Sequence, residues 1–355
     1  MSDTTRVAVI GYGLAGSAFH APFVDAVDGL RVSAVVTGDP TRAATARERH
    51  PGVAVHASAD ELWRRADEVD LVVVASPNRF HAEHAHAAIA AGLPVVVDKP
   101  VAATAAEVRG IAEAAAAAGV LFTAFQNRRW DGDFRTVRAL LDEGRLGRVT
   151  RFESRFERGA RPLRHTWRES TDPADFAGIA HDLGAHLVDQ AIVLFGRPTG
   201  VLADLRSPRP EVDAVEDATI QLVHGSSEHG DDVRSYLRMS NANVPVAPRF
   251  AVTSPTAGYR SWGLDPQEAA SRSGVLPTAP GFGKYPEERW GTLLTTEDET
   301  TVPTLKGDYL AFYRGVLAAL RGEGPAPVDP ADSVQLAEVI EAALRSAETG
   351  LPVAL

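Results

Sequence analysis

Val7-Ala8-Val9-Ile10-Gly11-Tyr12-Gly13-Leu14-Ala15-Gly16 decides the fold. A short apolar run leads straight into G-x-G-x-x-G, and the residues after it open a helical pattern. Gly11 permits the tight turn, Gly13 lets a pyrophosphate approach the backbone, and Gly16 lets helix and strand pack closely. The helix N-terminus adds unpaired N–H groups and a partial positive charge. The turn therefore predicts dinucleotide binding by Gly11, Tyr12, Gly13, Leu14, Ala15 and Gly16. A glycine-rich turn without a ligand is the alternative, and the alternation that follows weighs against it.

Outward from this turn, Arg31–Val36, Leu71–Ala75, Val95–Val97 and Leu121–Phe125 also read as strands. Near-continuous Val/Leu runs indicate strands buried on both faces, and Ala-rich or amphipathic segments separate them. Such β-α alternation predicts an α/β, doubly wound Rossmann domain over residues 1–126. Beyond about residue 130 the texture changes. A helix is expected at Phe134–Glu143, and Arg148–Arg158 alternates charged and apolar residues like a half-exposed strand. Gly200–Arg206, Ala218–His224, Val233–Met239, Phe250–Thr253 and Arg289–Thr295 read similarly, with a polar turn at Gly225–Asp232 and an irregular loop at Leu264–Lys284. This predicts an α+β domain, 127–329, built on a mostly antiparallel open sheet. An amphipathic helix, Pro330–Thr349, opens the last segment, 330–355.

The bulk numbers fit a globular chain: 355 residues, 45% hydrophobic and 23% charged. A net charge of -11 argues against nucleic acid as a partner, because phosphate backbones need clustered cations. With no cysteine there is no disulfide, thiolate nucleophile or Cys-ligated metal. No apolar stretch approaches the roughly 20 residues that span a bilayer. The first strand begins too early to leave room for a signal peptide, so a cytoplasmic location is expected.

The second strand ends Val36-Thr37-Gly38, placing Gly38 where an acid normally binds the ribose hydroxyls of NAD. A small residue there leaves room for a 2′-phosphate, with Thr37 and Arg42 as contacts, so NADP is favoured. Asp39 could still reach the ribose, which keeps NAD open. Asp98-Lys99-Pro100 follows the Val95–Val97 strand at the sheet edge where ligands bind. A partly desolvated lysine there has its pKa lowered and can handle protons; a surface lysine is the plainer alternative. Ser76-Pro77-Asn78 and His81 end the preceding strand and open its helix, a place for nicotinamide contacts. His81, His84 and His86 invite a metal, but this spacing on an Ala-rich helix reads as exposed surface, and no metal is expected. Asp182, His186 and Asp189 fall at i, i+4 and i+7, one face of an α-helix. A histidine near neutral pKa suits removal of a hydroxyl proton during hydride transfer, with Asp182 orienting the substrate; a polar helix face with an ordinary solvent-facing histidine is the plainer alternative in isolation.

Together these motifs, with Asn127-Arg128-Arg129-Trp130-Asp131, resemble the Gfo/Idh/MocA family of NAD(P)-dependent sugar and polyol dehydrogenases over essentially the whole chain. The family usually has Glu where Asp98 stands; Lys99 is retained. The resemblance implies Lys99, Asp182 and His186 as the catalytic set. It also implies substrate contacts from Asn127 and Arg128, a second-domain sheet of about six strands, and a last helix returning toward the nucleotide domain. Trp167 and Arg164, which precede the Asp182–His186 helix, are candidates to line the pocket, with core packing of Trp167 and surface placement of Arg164 as equal alternatives. A homodimer or homotetramer through the sheet is implied too. Phe19-His20-Ala21-Pro22, Trp167-Arg168-Glu169 and Trp262-Gly263-Leu264-Asp265 make the chain look most similar to NADP-dependent scyllo-inositol dehydrogenases. The same fold also serves NAD-dependent glycoside hydrolases and non-catalytic cofactor-binding regulators. The latter are expected to lose the Lys or His present here.

Overall fold

The computed structural model of the chain describes residues 4–160, 162 and 170–355. Its two compact units interleave along the sequence. The first comprises Met1–Asn127, Gln267–Phe282 and Asp308–Val334; the second comprises Arg128–Pro266, Gly283–Gly307 and Gln335–Leu355.

The first unit is organised by six strands: β1 Thr5–Ile10, β2 Leu30–Val36, β3 Ala54–His56, β4 Leu71–Val74, β5 Val95–Val97 and β6 Phe122–Ala124. They lie in the order β3-β2-β1-β4-β5-β6, and every neighbouring pair is parallel. This is the doubly wound Rossmann arrangement. Its strand order reverses beside β1, so ligands are expected at the carboxyl ends of β1 and β4. Val7, Val9, Val72, Val73 and Val96 have no exposed surface, as covered parallel strands require. β3 is not foreseen from the sequence, because its Ala-Val-His is too short for a pattern. The helix Leu310–Leu320, likewise not foreseen, buries Phe312, Tyr313 and Val316 in this unit.

The second unit contains a nine-stranded sheet. Its strands are β7 Arg151–Glu157, β8 Pro198–Arg206, β9 Asp217–His224, β10 Arg234–Ser240, β11 Phe250–Thr253, β12 Ala257–Ser261, β13 Gly291–Thr295, β14 Glu299–Val302 and β15 Val353–Ala354. The order is β14-β13-β12-β11-β7-β10-β9-β8-β15. The β10–β7 pair is parallel and the remaining pairs are antiparallel. Phe152, Ser154 and Phe156 face the core while Arg151, Glu153, Arg155 and Glu157 face outward, the alternation read from the sequence. Nine strands replace the expected six or so because β12 and β14 are short and carry little apolar alternation, and β15 is only two residues long. Leu264–Lys284, expected to be irregular, contains the helix Pro266–Arg272. The helix Pro330–Thr349 has the expected bounds, and its Leu336, Val339 and Ile340 join Phe152, Ile220 and Phe250 in the second unit's core. Among the described residues no helix is long and apolar enough to cross a membrane.

His224 shows what burial in this sheet does to a titratable group. Its Nδ1 lies 2.9 Å from Gly196 O and its Nε2 2.9 Å from Ser235 Oγ. Burial pushes its pKa down from 6.5 to about 4. Between those values the unfolded chain takes up a proton that the folded chain refuses, so stability falls as pH drops below about 6.5 and the loss is complete below about 4. At about 1.4 kcal/mol per unit the whole effect is on the order of 3 kcal/mol. Thermal melts of wild type and His224→Gln should converge on acidification over this window; parallel curves would remove His224 as a cause.

Candidate active site

The glycine turn is built by exclusion. Gly11 has φ +93°, and a Cβ there would lie 2.5 Å from Ala75 O; a Cβ at Gly16 would lie 2.0 Å from Gly11 O. At Gly13, by contrast, a Cβ would come no nearer to a neighbour than 3.8 Å, to Arg42 Nη1. The space over Gly13 is open, as a bound pyrophosphate requires. The helix then starts with a π-helical turn, Ala15–His20. Leu14 is exposed, whereas the Tyr12 side chain turns inward. Tyr12 Oη is 2.7 Å from His50 Nε2, and His50 Nδ1 donates to Asp25 at 2.5 Å. Tyr12 thus serves the turn through its backbone.

At the end of β2, Thr37 is half-buried and Gly38 exposed. Asp39 caps the following helix, its Oδ1 accepting from the backbone N–H groups of Thr41 (2.8 Å) and Arg42 (3.0 Å). These bonds, that of Arg42 first, lower the Asp39 pKa. Arg42 Nε lies 3.6 Å from Asp39 Oδ2, and the guanidinium reaches toward Gly13.

The carboxyl ends of β4 and β5 are tied to each other through His81. Its Nε2 lies 2.8 Å from Ser76 O and its Nδ1 2.8 Å from Pro100 O. His81 is therefore buried, not part of an exposed histidine surface, because both ring nitrogens face carbonyl oxygens of the two loops. Burial pushes its pKa down, against Asp98 and these carbonyls. His84 is half-buried, 3.0 Å from Ser76 Oγ, and His86 alone is exposed. Asn78 is buried and Pro77 exposed. Asp98 Oδ1 accepts the Lys99 backbone N–H at 2.8 Å. Burial raises the Asp98 pKa, but His20, Lys99 and His81 together hold it below its ordinary value. Glycine turn, Ser76–Asn78 loop and Asp98–Pro100 loop thus share one sheet edge.

In the second unit, Asp182 sits half-buried in a π-helical turn, Ala180–Gly184, and its backbone N–H donates to Gly178 O at 3.0 Å. His186 and Asp189 are buried on the α-helix Ala185–Phe195 that continues it. The i, i+4 face expected for Asp182 and His186 assumed a regular α-helix; the wider π turn alters that offset. Asp189 accepts two bonds from Arg129, at 2.9 and 2.6 Å, a bidentate pair that orients the helix. Arg128 is buried too, 3.2 Å from Asp131 Oδ2 and 4.5 Å above the Phe156 ring, which gives it a structural duty. Asn127 is buried at the end of a first-unit segment. Trp167 and Arg164 lie outside the described residues.

Nothing in the sequence pattern gives His20 or Tyr313 a role, although both stand behind Asp98. One further signal was available. Lysine is scarce: among 36 basic residues only Lys99, Lys284 and Lys306 are lysines, so a lysine at the sheet edge stands out.

Residues 5–126 match "Oxidoreductase family, NAD-binding Rossmann fold", and residues 138–355 match "Oxidoreductase family, C-terminal alpha/beta domain", the two halves of Gfo/Idh/MocA proteins. The chain belongs to the Gfo/Idh/MocA oxidoreductase family. Among these oxidoreductases it is 35% identical to the Escherichia coli oxidoreductase YdgJ, over 98% of each chain. It is 32% identical to the Bacillus subtilis scyllo-inositol 2-dehydrogenase (NADP(+)) IolW, over 98% of this chain and 94% of that protein. The solved structure of the oxidoreductase yvaA from Bacillus subtilis superposes with a TM-score of 0.92 at 31% identity, covering 100% of this chain and 99% of that one. As a Gfo/Idh/MocA protein the chain is a dehydrogenase or reductase with an NAD-binding Rossmann fold.

Proposed function

We propose that the chain is an NADP-dependent dehydrogenase that oxidises a secondary hydroxyl of a polyol, cyclitol or sugar, or reduces the corresponding carbonyl. The first unit holds the nucleotide and the second supplies the substrate groups and a homo-oligomeric contact through its sheet. The observation that carries this reading is the sheet edge where the open space over Gly13 adjoins the His81-tied loops ending in Lys99. The scyllo-inositol 2-dehydrogenase relative supports the substrate class.

When bound, the nicotinamide supplies the hydride acceptor or donor. The protein's part is positional and acid–base. Gly11–Gly16 presents backbone N–H groups to the pyrophosphate. His186 takes the hydroxyl proton, Lys99 shares proton handling or polarises the carbonyl oxygen, and Asp182 orients the substrate hydroxyls. A panel of inositols, pentoses and hexoses, followed by nicotinamide absorbance with NADP and with NAD, tests the reading. Turnover of a cyclitol or sugar supports it; release of a sugar from a glycoside without net cofactor reduction favours the hydrolase alternative.

NADP is preferred on two grounds. Asp39 is committed as a helix cap, and the Arg42 guanidinium beside Gly13 offers charge to a 2′-phosphate. A charge-assisted contact contributes roughly 1.5–3 kcal/mol, or about 10- to 100-fold in affinity. Fluorescence titration of Arg42→Ala should therefore show NADPH weakened by at least about tenfold with NADH unchanged. Equal losses for both nucleotides would give Arg42 no part in the choice.

A further inference from the structure

His20 and Tyr313 are wholly buried polar side chains that the chemistry above leaves unused. They come from distant parts of the chain, His20 from the π-helical turn after the glycines and Tyr313 from the helix Leu310–Leu320, and both belong to the first unit. His20 Nδ1 lies 2.6 Å from Tyr313 Oη, and its ring packs on Phe125 at 4.2 Å between centroids. His20 Nε2 has no hydrogen-bond partner at closer range and faces Asp98 Oδ2 at 3.7 Å.

Donor and acceptor chemistry fixes how this chain of groups is protonated. An ionised carboxylate can only accept, so the nitrogen facing Asp98 must carry a proton. In the neutral ring Nδ1 is then the acceptor, and the Tyr313 hydroxyl donates to it. One tautomer thus serves Tyr313, His20 and Asp98 together. The other tautomer would set a lone pair against the carboxylate.

We propose that Tyr313 and His20 are positioning residues that hold Asp98 as a carboxylate in one orientation and, through it, set the backbone and charge environment of Lys99. The groups facing Asp98 are His20 from the glycine-turn helix, His81 from the helix after β4, and Lys99 from its own loop; Tyr313 faces His20. Tyr313→Phe leaves the packing almost unchanged but removes the hydroxyl that selects the tautomer. His20→Leu removes the N–H altogether. In either case the half-buried carboxylate loses the oriented N–H facing its Oδ2, keeps only the Lys99 backbone N–H on Oδ1, and protonates more readily, and Lys99 loses part of a counter-charge. The catalytic consequence rests on the role proposed for Lys99; the electrostatic one does not.

The test uses the full chain as wild type, Tyr313→Phe, His20→Leu and His20→Gln, the last restoring an N–H donor without a titrating ring. Competitive acylation at neutral pH without added nucleotide, read peptide by peptide, gives the reactivity of Lys99 against Lys284 and Lys306. Tyr313→Phe and His20→Leu are expected to raise Lys99 reactivity roughly threefold or more relative to the other lysines, with His20→Gln nearer wild type. Their NADPH affinity should stay within about twofold, while kcat falls and the acid limb of its pH profile moves upward by about half a unit or more. Unchanged Lys99 reactivity and an unmoved acid limb in Tyr313→Phe would overturn the proposal, as would a kcat loss that simply tracks lost NADPH binding. If the wild type turns over no polyol or sugar, the functional reading fails, and the acylation arm still decides the relay.

Discussion

Replacing Lys99 with alanine is expected to lower kcat by about 10²–10⁴-fold while NADPH affinity changes by no more than a few-fold. The argument begins at the sheet edge. Lys99 follows β5, its backbone N–H is held by Asp98, and the loop is tied through His81 to the Ser76–Asn78 loop. In the proposed mechanism the Lys99 side chain acts on the reacting groups, whereas backbone N–H groups of the glycine turn hold the pyrophosphate. Loss of Lys99 should therefore appear in kcat and kcat/KM for the hydroxyl substrate, the pattern of an interaction made in the transition state. His186→Ala should behave alike if it is the proposed acid–base group. Steady-state kinetics with parallel NADPH titrations check this. Wild-type kcat in either single variant would take that residue out of the mechanism.

Arg249→Met is expected to cost about 3–5 kcal/mol of stability, the range for stranding a buried charge. Arg249 is almost wholly buried. Its Nη1 donates to Ser154 Oγ at 2.5 Å and its Nη2 to Gln190 Oε1 at 3.0 Å, while the guanidinium lies 4.1 Å above the Phe250 ring. Its Nε is 3.7 Å from Asp133 Oδ2. Burial raises the Asp133 pKa and lowers that of Arg249, and each partner opposes the other's shift. Removing the cation leaves Asp133 buried without its main counter-charge and frees Gln190, whose Nε2 donates to Arg128 O at 2.9 Å on the helix that carries His186. Thermal unfolding should show a fall of roughly 10 °C. Arg249→Met combined with Asp133→Asn should recover part of it, since the stranded charge is gone. A single-variant loss below about 1 kcal/mol would mean that the cluster is held by packing alone.

The first sheet was legible because most of its strands are short, mainly apolar runs and its glycines follow β1 directly. Only β3, three residues of mixed character, escaped. In the second sheet the strands with clear alternation, such as Arg151–Glu157, were readable, while β12, β14 and β15 lack enough apolar residues to show a period. Interleaving of the two units could not be read from texture, because Asp308–Val334 returns to the first unit through contacts hundreds of residues distant in sequence, such as Thr123 Oγ1 donating to Val328 O at 2.8 Å. At the site, the end of β5 singled out Lys99, helical spacing singled out Asp182 and His186, and the family resemblance joined them as a catalytic set. Spacing misjudged His81, since three histidines on an Ala-rich helix say nothing of the two carbonyls that enclose one of them. His20 stood in a quoted motif without a role, because its meaning depends on Tyr313, 293 positions away.

Hydride transfer can be followed directly. The full chain would be incubated with NADP and cyclitols or sugars deuterated at their carbinol carbons, and the recovered nicotinamide examined by mass spectrometry. One deuterium per reduced nicotinamide, matched by an equal amount of carbonyl product, is the expected result. Product formed with no deuterium on the cofactor, or no reduction with any polyol or sugar tested, would contradict it.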